Sequence, residues 1–311
     1  MGEVPTFGAT LDGLALFRRK PRIEGGNIYR AIGKPNEVNG QPAWRGVATV
    51  IDWEYLGINP VESITRNMAL VKEHFRPDEE HTYQEPVAVV AYGHSLRETW
   101  PELRNFNTIF TCSGAHKFLL EQGIKPTYHV DSDPRPHKVI MLGQPDPDVT
   151  YLPCSIVHPA YIEKLRDEGC DKIALWHLLF YEPAIFHVLP DNEWLMTGGD
   201  TIGPRTAKMA RLLGHVNLHF FGFDACADDA KQTHAADHLN PKADKLEKID
   251  FLGRSYWIRE DWMVHAHTLI YDLDRMPEVK ATFYGDSLLP AMFKAHVPIY
   301  RSKIPMGVFK Q

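Results

Sequence analysis

The chain has 311 residues, of which 44% are hydrophobic and 24% charged, with a formal net charge of −6. This composition is typical of a globular protein that buries a full core, as one large α/β domain with elaborations or as two modest domains. Because the net charge is negative and the lysines and arginines are scattered, the sequence does not indicate a surface that coats nucleic acid.

Targeting signals and cysteine spacing bear on the expected cellular compartment. No window approaches about eighteen uncharged apolar residues, and the N-terminal stretch MGEVPTFGATLDG lacks a basic segment and an apolar core, so neither a membrane span nor a secretory signal is predicted. We therefore expect a cytoplasmic protein. The cysteines are Cys112, Cys154, Cys170 and Cys226. They lack Cys-x-x-Cys spacing, which favours buried thiols over disulfides or zinc ligands.

Residues 1–58 are predicted to form an irregular N-terminal extension, since the first part is rich in Gly, Pro and Asn and holds only short candidate strands. A helix is predicted over 59–75, where an Asn-Pro start precedes apolar residues close to helical spacing. A charged, proline-bearing loop over 76–85 follows and leads into the core.

The next stretch carries the first candidate site. Residues 87–91 are an apolar run typical of a strand buried on both faces, and the run breaks at the turn Tyr92-Gly93-His94-Ser95. Leu96 then begins a predicted helix with Ser95 as its N-cap. A strand, a tight turn and a helix start present backbone N–H groups and a positive dipole end to an anion, most often a phosphate.

Two further strands follow, and the second ends in a pair of carboxylates. They are predicted at 108–112 and 127–130, separated by a helix over 115–122 that ends at Gly123, and the second leads into Asp131-Ser132-Asp133-Pro134. Two carboxylates at a strand end can share a divalent cation or a ribose, although this pattern is also common turn chemistry. Its position beside the Gly93 turn favours a ligand site.

The second half repeats this order of elements. Strand material is predicted at 149–152, 155–157 and 172–176, with a helix over 160–167. A glycine turn, Thr197-Gly198-Gly199-Asp200, precedes a helix over 206–213 and an apolar strand over 216–221. That strand also ends in an acidic tip, Gly222-Phe223-Asp224.

Two histidines follow in a polar loop. His234 and His238 are four residues apart, a spacing that on a helix would let both imidazoles share a metal. Solvated loop histidines are the simpler interpretation. We favour a mobile lid that contributes one histidine as an acid, a base or a substrate contact, because histidine is best matched to proton transfer near neutral pH.

The C-terminal part completes the domain. Residues 259–276 form a predicted amphipathic helix, on which His265 and His267 are interpreted as structural or surface residues. A last strand is predicted at 279–284, followed over 285–311 by a short helix and a surface arm. The fold class is therefore α/β and Rossmann-like over 59–284, with a mostly parallel sheet, helices on both faces and a ligand cleft at the strands' carboxyl ends.

Together these segments resemble the 6-hydroxymethylpterin diphosphokinase-like superfamily, which includes archaeal pterin diphosphokinases, motility accessory factors of flagellin glycosylation and phage proteins. More distantly they resemble bacterial CMP-sialic acid sialyltransferases. The first matching motifs are Tyr92-Gly93-His94-Ser95-Leu96, Ser113-Gly114-Ala115, Gly123-Ile124-Lys125-Pro126 and Asp133-Pro134. The later ones are Thr197-Gly198-Gly199, Leu213-Gly214, Gly222-Phe223-Asp224 and His234. His94 departs from the pattern, since it stands where the family usually has proline.

The resemblance implies a nucleotide-dependent transferase. Its nucleotide-binding residues would be Gly93, His94, Ser95, Ser113, Gly114, Thr197, Gly198 and Gly199. The resemblance favours a glycosyltransferase with a nucleotide-sugar donor and a hydroxyl-bearing acceptor. His234 is then the candidate base, Asp224 orients hydroxyls, and His94 is the rival base.

Two alternatives stay open. A diphosphokinase would transfer diphosphate from ATP to a hydroxymethyl group and would need Mg²⁺ at Asp131 or Asp133, whereas a sialyltransferase-like reaction needs no metal because the leaving CMP carries one phosphate. A phage or surface accessory protein without catalysis is the second alternative. If the protein is phage-encoded, the expected location is the host cytoplasm; the resemblance leaves a homo-oligomer open.

Overall fold

The computed structural model describes residues 29–32, 36–38, 41–43, 48–51, 53, 57–178, 188–189, 193–196, 201–236 and 246–295. The described strands are β1 (Tyr29–Ile32), β2 (Asn36–Val38), β3 (Gln41–Ala43), β4 (Ala48–Ile51), β5 (Val87–Val90), β6 (Ile109–Cys112), β7 (Tyr128–Asp131), β8 (Thr150–Pro153), β9 (His177–Leu178), β10 (Leu195–Met196), β11 (Asn217–Phe221), β12 (Glu247–Phe251), β13 (Arg254–Ile258) and β14 (Lys280–Phe283). The described helices are α1 (Pro60–Leu70), α2 (Leu96–Thr99), α3 (Ala115–Glu121), α4 (Lys138–Met141), α5 (Pro159–Asp167), α6 (Ile202–Leu212), α7 (Glu260–Asp274) and α8 (Leu288–Lys294), with a 3₁₀ segment at Trp100–Asn105.

Six strands form one parallel sheet in the order β14-β11-β5-β6-β7-β8. Every residue of β5 and β6 is buried, which is why their sequences read as continuous apolar runs and not as alternating ones. The predicted α/β fold with a mostly parallel sheet is confirmed. The chain reverses direction across the sheet at β5, so the carboxyl ends of β5, β6 and β11 lie beside a topological switch point.

Helices cover both faces of this sheet. Val87 and Val89 of β5 belong to one core cluster together with Met209 of α6, whereas Ala88 and Val90 belong to a second cluster together with Phe118 of α3. Successive strand residues point to opposite faces, so the two clusters are the two sides of the sheet. Leu288, Leu289 and Met292 of α8 join the first cluster, so this short helix packs on the same core.

The sheet continues irregularly beyond β8. Single bridges join Tyr151 to Ile173 and Cys154 to Trp176, and a further bridge joins Leu175 to His74. The strand predicted at 172–176 is therefore present as bridged chain and not as a regular ladder. This arrangement brings the segment after α1 to the edge of the sheet.

The N-terminal prediction of short strands agrees with two antiparallel pairs, β1 with β4 and β2 with β3. The domain boundaries at 58 and 284 stay predictions. Of the helices in the described ranges, none is long and apolar enough to cross a membrane.

Candidate functional site at the carboxyl ends of the strands

The turn after β5 is held tightly against the end of β11. Gly93 N donates to Gly222 O at 3.0 Å, and a Cβ at position 93 would lie 2.3 Å from Asp224 Oδ2 and 2.4 Å from Gly222 O. Glycine is required here because the neighbouring protein atoms leave no room for a side chain. Protein atoms, and not a ligand, thus fill the space beside Gly93, and the Gly93 N–H already donates to Gly222 O.

Asp224 organises this turn. Its carboxylate accepts hydrogen bonds from Ser95 N at 2.9 Å, from Ser95 Oγ at 2.5 Å and from Ser287 Oγ at 2.7 Å. Ser95 is the N-cap residue of α2, as predicted, but its hydroxyl makes no capping hydrogen bond and donates to Asp224 instead. Since α2 has only four residues and the Ser95 N–H is engaged, a helix dipole contributes little to anion binding here.

The two candidate bases lie in different surroundings. His234 lines a cavity beside the turn, where Gly93 and His234 form an antiparallel bridge and the rings of Tyr92 and His234 lie 5.6 Å apart. The hydroxyl oxygen of Thr233 is 2.6 Å from His234 Nδ1. His94 instead lies with its Nε2 3.7 Å from Asp224 Oδ2, and it is not among the described residues that line the cavity.

The cavity has a volume of about 250 Å³, close to the lower end of the range for small-molecule sites, roughly 300–1,000 Å³. Its polar wall includes Ser113 and Asp224. Its apolar wall includes Phe223 from the turn after β11, Trp262 from α7 and Leu289 from α8. Strand ends and helices thus line a mainly apolar, open cleft at the predicted edge of the sheet.

A buried lysine stands behind Ser113. Lys138 Nζ donates to Ser113 Oγ at 2.8 Å and lies 3.6 Å from Asp133 Oδ2, with 7% of its side chain exposed. Arg205, also buried, donates to Ser132 Oγ at 3.2 Å. Lys138 thus places positive charge behind Ser113, which lines the cavity, so a phosphate beside Ser113 would be stabilised. Arg205 binds at the end of β7 and does not line the cavity.

The carboxylates of the predicted metal site have partners within the protein. Asp131 Oδ1 accepts from Ser132 N at 2.7 Å, and Arg135 binds both oxygens of Asp133. Burial raises the pKa of Asp131. Burial of Asp133 acts the same way, but hydrogen bonds from Arg135 and the charge of Lys138 hold the pKa of Asp133 below its usual value. Magnesium at this pair stays a prediction.

Several of the predicted site residues lie outside the described ranges. Thr197, Gly198, Gly199 and His238 lie outside the described residues. Gly114 is described: a Cβ there would lie 2.5 Å from the Tyr92 ring, so this glycine lets the turns after β5 and β6 pack together. All four cysteines are buried and free, as expected.

Sequence reasoning missed Lys138, Arg205 and His265. His265 lines the cavity, although it was interpreted as a structural or surface residue. A signal for Arg205 was present, because it shares the buried side of α6 with Thr206 and Met209, and a cation there needs a partner. Lys138 lies on a four-residue helix, which is too short to show a helical periodicity of apolar residues.

Comparison with known proteins identifies the family. The model of the family described as 6-hydroxymethylpterin diphosphokinase MptE-like matches residues 61–230. None of the curated proteins matches the sequence significantly.

Among solved structures, the MAf glycosyltransferase from Magnetospirillum magneticum AMB-1 aligns with a TM-score of 0.56 and 16% identity over 78% of this chain and 41% of that chain. The present chain therefore spans less than half the length of that glycosyltransferase, and at this identity the likeness concerns the fold. A mammalian sialyltransferase in complex with Gal-beta-1-3GalNAc-ortho-nitrophenol aligns with a TM-score of 0.39 and 13% identity over 73% of this chain and 79% of that chain. We draw no argument from that similarity.

The family match confirms the superfamily that the sequence motifs indicated. Because it covers more than half of the 311 residues, the protein belongs to the 6-hydroxymethylpterin diphosphokinase MptE-like family.

Proposed function

We propose that the protein is a nucleotide-dependent transferase, and specifically a glycosyltransferase that uses a nucleotide-sugar donor. The name of its family and the name of the Magnetospirillum neighbour both denote transferases. The observation that carries the proposal is the cavity at the strand ends, where the Gly93 turn, the Ser113 hydroxyl on Lys138 and the His234 ring come together.

In this proposal the donor phosphate lies near Ser113, where the buried Lys138 ammonium offsets its charge. The acceptor hydroxyl attacks the anomeric carbon, the bond from that carbon to the phosphate oxygen breaks, and His234 takes the acceptor proton. The negative charge of the leaving nucleotide grows as the bond breaks, so the lysine stabilises the transition state more than the ground state.

The partners of the Asp133 carboxylate favour sugar transfer over diphosphate transfer. A magnesium ion needs carboxylate oxygens that it can reach, but Arg135 binds both oxygens of Asp133 and Lys138 lies 3.6 Å from one of them. Diphosphate transfer from ATP would need the metal, whereas sugar transfer from a donor that releases a monophosphate, such as a CMP-sugar, would not.

Binding assays test which nucleotide the protein binds. Calorimetry with CMP, UDP, GDP, ADP and ATP, each with and without magnesium, should show one preferred nucleotide. Lys138→Gln should weaken its binding by about tenfold or more, because a charge-assisted hydrogen bond is worth about 1.5–3 kcal/mol. Lys117→Gln, at a half-exposed lysine paired with Glu121, is the control and should leave the affinity unchanged.

Each alternative predicts a distinct result. Binding of ATP only, with magnesium required, would support the diphosphokinase, and full turnover in EDTA would exclude it. No binding of any nucleotide by a well-folded protein would overturn the proposal and favour an accessory protein that has lost catalysis.

A further inference from the structure

A second group of ligand-type side chains lies at the β8 end of the sheet, away from the cavity. We call His74, His177 and Glu193 the edge cluster; one ligand atom from each lies within 4.8 Å of the others. His74 Nδ1 is 2.6 Å from Glu193 Oε1, and His177 Nε2 is 3.6 Å from Glu193 Oε2. In the described part of the chain, no other group of three such side chains lies this close together.

Three separate segments are needed to build this cluster. His74 sits where the chain after α1 bridges to Leu175, His177 begins β9, and Glu193 precedes β10, which pairs with β9. Because β6 and β7 separate β8 from β5, the cluster is distinct from the candidate site beside the Gly93 turn. None of its residues lines that cavity.

The cluster is buried, and its hydrogen-bonding groups are not all paired within the described residues. The side chains of His74, His177 and Glu193 are 12%, 1% and 6% exposed. His177 Nε2 is buried and has no hydrogen-bond partner among the described residues, since its distance of 3.6 Å to Glu193 Oε2 exceeds hydrogen-bonding range. A buried ring nitrogen without a partner, aimed at a carboxylate and next to a second imidazole, points to a ligand between them.

The surroundings of His177 fit a metal ligand. Its other ring nitrogen, Nδ1, is 2.9 Å from Ser155 Oγ, so donation to this hydroxyl would leave the Nε2 lone pair directed into the cluster. The Ser155 carbonyl accepts from the buried Asn67 amide at 3.0 Å, which fixes the position of Ser155.

We propose that the edge cluster binds a zinc-class divalent ion, with one nitrogen from each histidine and one Glu193 oxygen as ligands. Two imidazoles and one carboxylate are a typical three-residue zinc set with an open fourth position. Ligands bonded at about 2.0–2.1 Å in a tetrahedron lie roughly 3.3 Å apart. The three candidate ligand atoms lie within 4.8 Å of one another, so binding would draw the side chains together by roughly 1.5 Å at most.

Arg76 is the competing partner. It donates to both Glu193 oxygens, at 2.8 and 3.3 Å, and its side chain is 46% exposed. A half-exposed arginine can move into solvent or keep one carboxylate oxygen while the other binds the ion. The alternative role of the cluster is a purely structural ion-pair network, and the two roles predict different responses to zinc.

The experiment uses the full chain after treatment with EDTA and dialysis. Calorimetric titration with Zn²⁺ should show one equivalent per chain, zinc should raise the thermal unfolding temperature, and Co²⁺ should produce the visible bands of a tetrahedral site. Glu193→Gln and His74→Ala should each weaken zinc binding by at least about tenfold. His81→Ala removes an exposed histidine 3.0 Å from Asp78 and should leave zinc binding unchanged.

The cobalt spectrum of the unmodified protein keeps the test valid even if one variant folds poorly. Absence of stoichiometric zinc binding and of cobalt bands would overturn the proposal. So would a Glu193→Gln protein that is less stable without metal while zinc has no effect on the unmodified chain, since this is the result of an ion-pair network. None of these measurements depends on transferase activity, so the outcome is independent of the proposed function.

Discussion

The position of His234 illustrates how the fold brings distant residues together. Position 234 is 140 residues after position 94, yet both histidines come to the same turn, because the chain after β11 returns to pair with Gly93. The His234 ring faces the cavity, whereas the His94 ring lies near Asp224 and Cys226. Their chemistry should differ accordingly.

We predict that His234→Ala lowers turnover by about 10²–10⁴-fold with little change in nucleotide affinity, because general-base catalysis contributes on this scale. His94→Ala should alter nucleotide affinity or stability and leave the pH dependence of turnover unchanged. Single-turnover rates and calorimetry with the same donor measure both effects. Full turnover in His234→Ala together with its loss in His94→Ala would transfer the role to His94.

At the scale of elements, Asp224 ties three segments together. It follows β11, it accepts from both the N–H and the hydroxyl of Ser95 before α2, and it accepts from Ser287 at the start of α8. Its carboxylate is therefore committed to holding the turn. We propose that it positions the cavity wall, and that contact with substrate hydroxyls is secondary.

Two substitutions separate these roles. Asp224→Asn keeps an oxygen for Ser95 N–H and an amide that both hydroxyls can accept from, so the free energy of unfolding should fall by only about 1 kcal/mol. Asp224→Ala leaves three buried donors unpaired and should cost about 2–4 kcal/mol. Urea denaturation measures both, with Asp286→Ala at an exposed carboxylate as the control. Equal losses in Asn and Ala variants would contradict the positioning role.

At the scale of the whole molecule, buried neutral histidines couple stability to pH. His116 is fully buried, with Nδ1 at 3.1 Å from Leu142 O and Nε2 at 3.0 Å from Tyr151 Oη, and burial lowers the pKa of its ring to about 4. In the unfolded chain the same ring has a pKa of about 6.5. Between these values the unfolded chain binds a proton that the folded protein does not.

Stability should therefore fall as the pH falls from 6.5 towards 4, by up to about 1.4 kcal/mol per pH unit from His116 alone. The substitution His116→Gln should remove this contribution, so the free energy of unfolding of the variant should depend less steeply on pH. Urea denaturation at several pH values measures the slope, with His81→Gln at an exposed histidine as the control. An unchanged slope in His116→Gln would show that this ring is not the source.

The sequence by itself determined the class of fold and the order of its parts. Continuous apolar runs such as Val87–Val90 and Ile109–Cys112 are buried on both faces, and a short run with no polar alternation is the pattern of a parallel sheet covered by helices. The turn chemistry after each run located the candidate site at the carboxyl edge, because parallel strands all end there. The inference of the fold succeeded because it depends on residues close in the chain.

Only the tertiary structure decided which groups meet at the site. Periodicity does not encode contacts between distant segments, so it could not show that Asp224 engages the Ser95 hydroxyl expected to cap a helix, or that Lys138 stands behind Ser113. It likewise could not show that His74 and His177 share one carboxylate at the sheet edge. The physical reason is that hydrogen bonds and ion pairs form wherever packing of the core brings donors and acceptors together, at separations that no local pattern records.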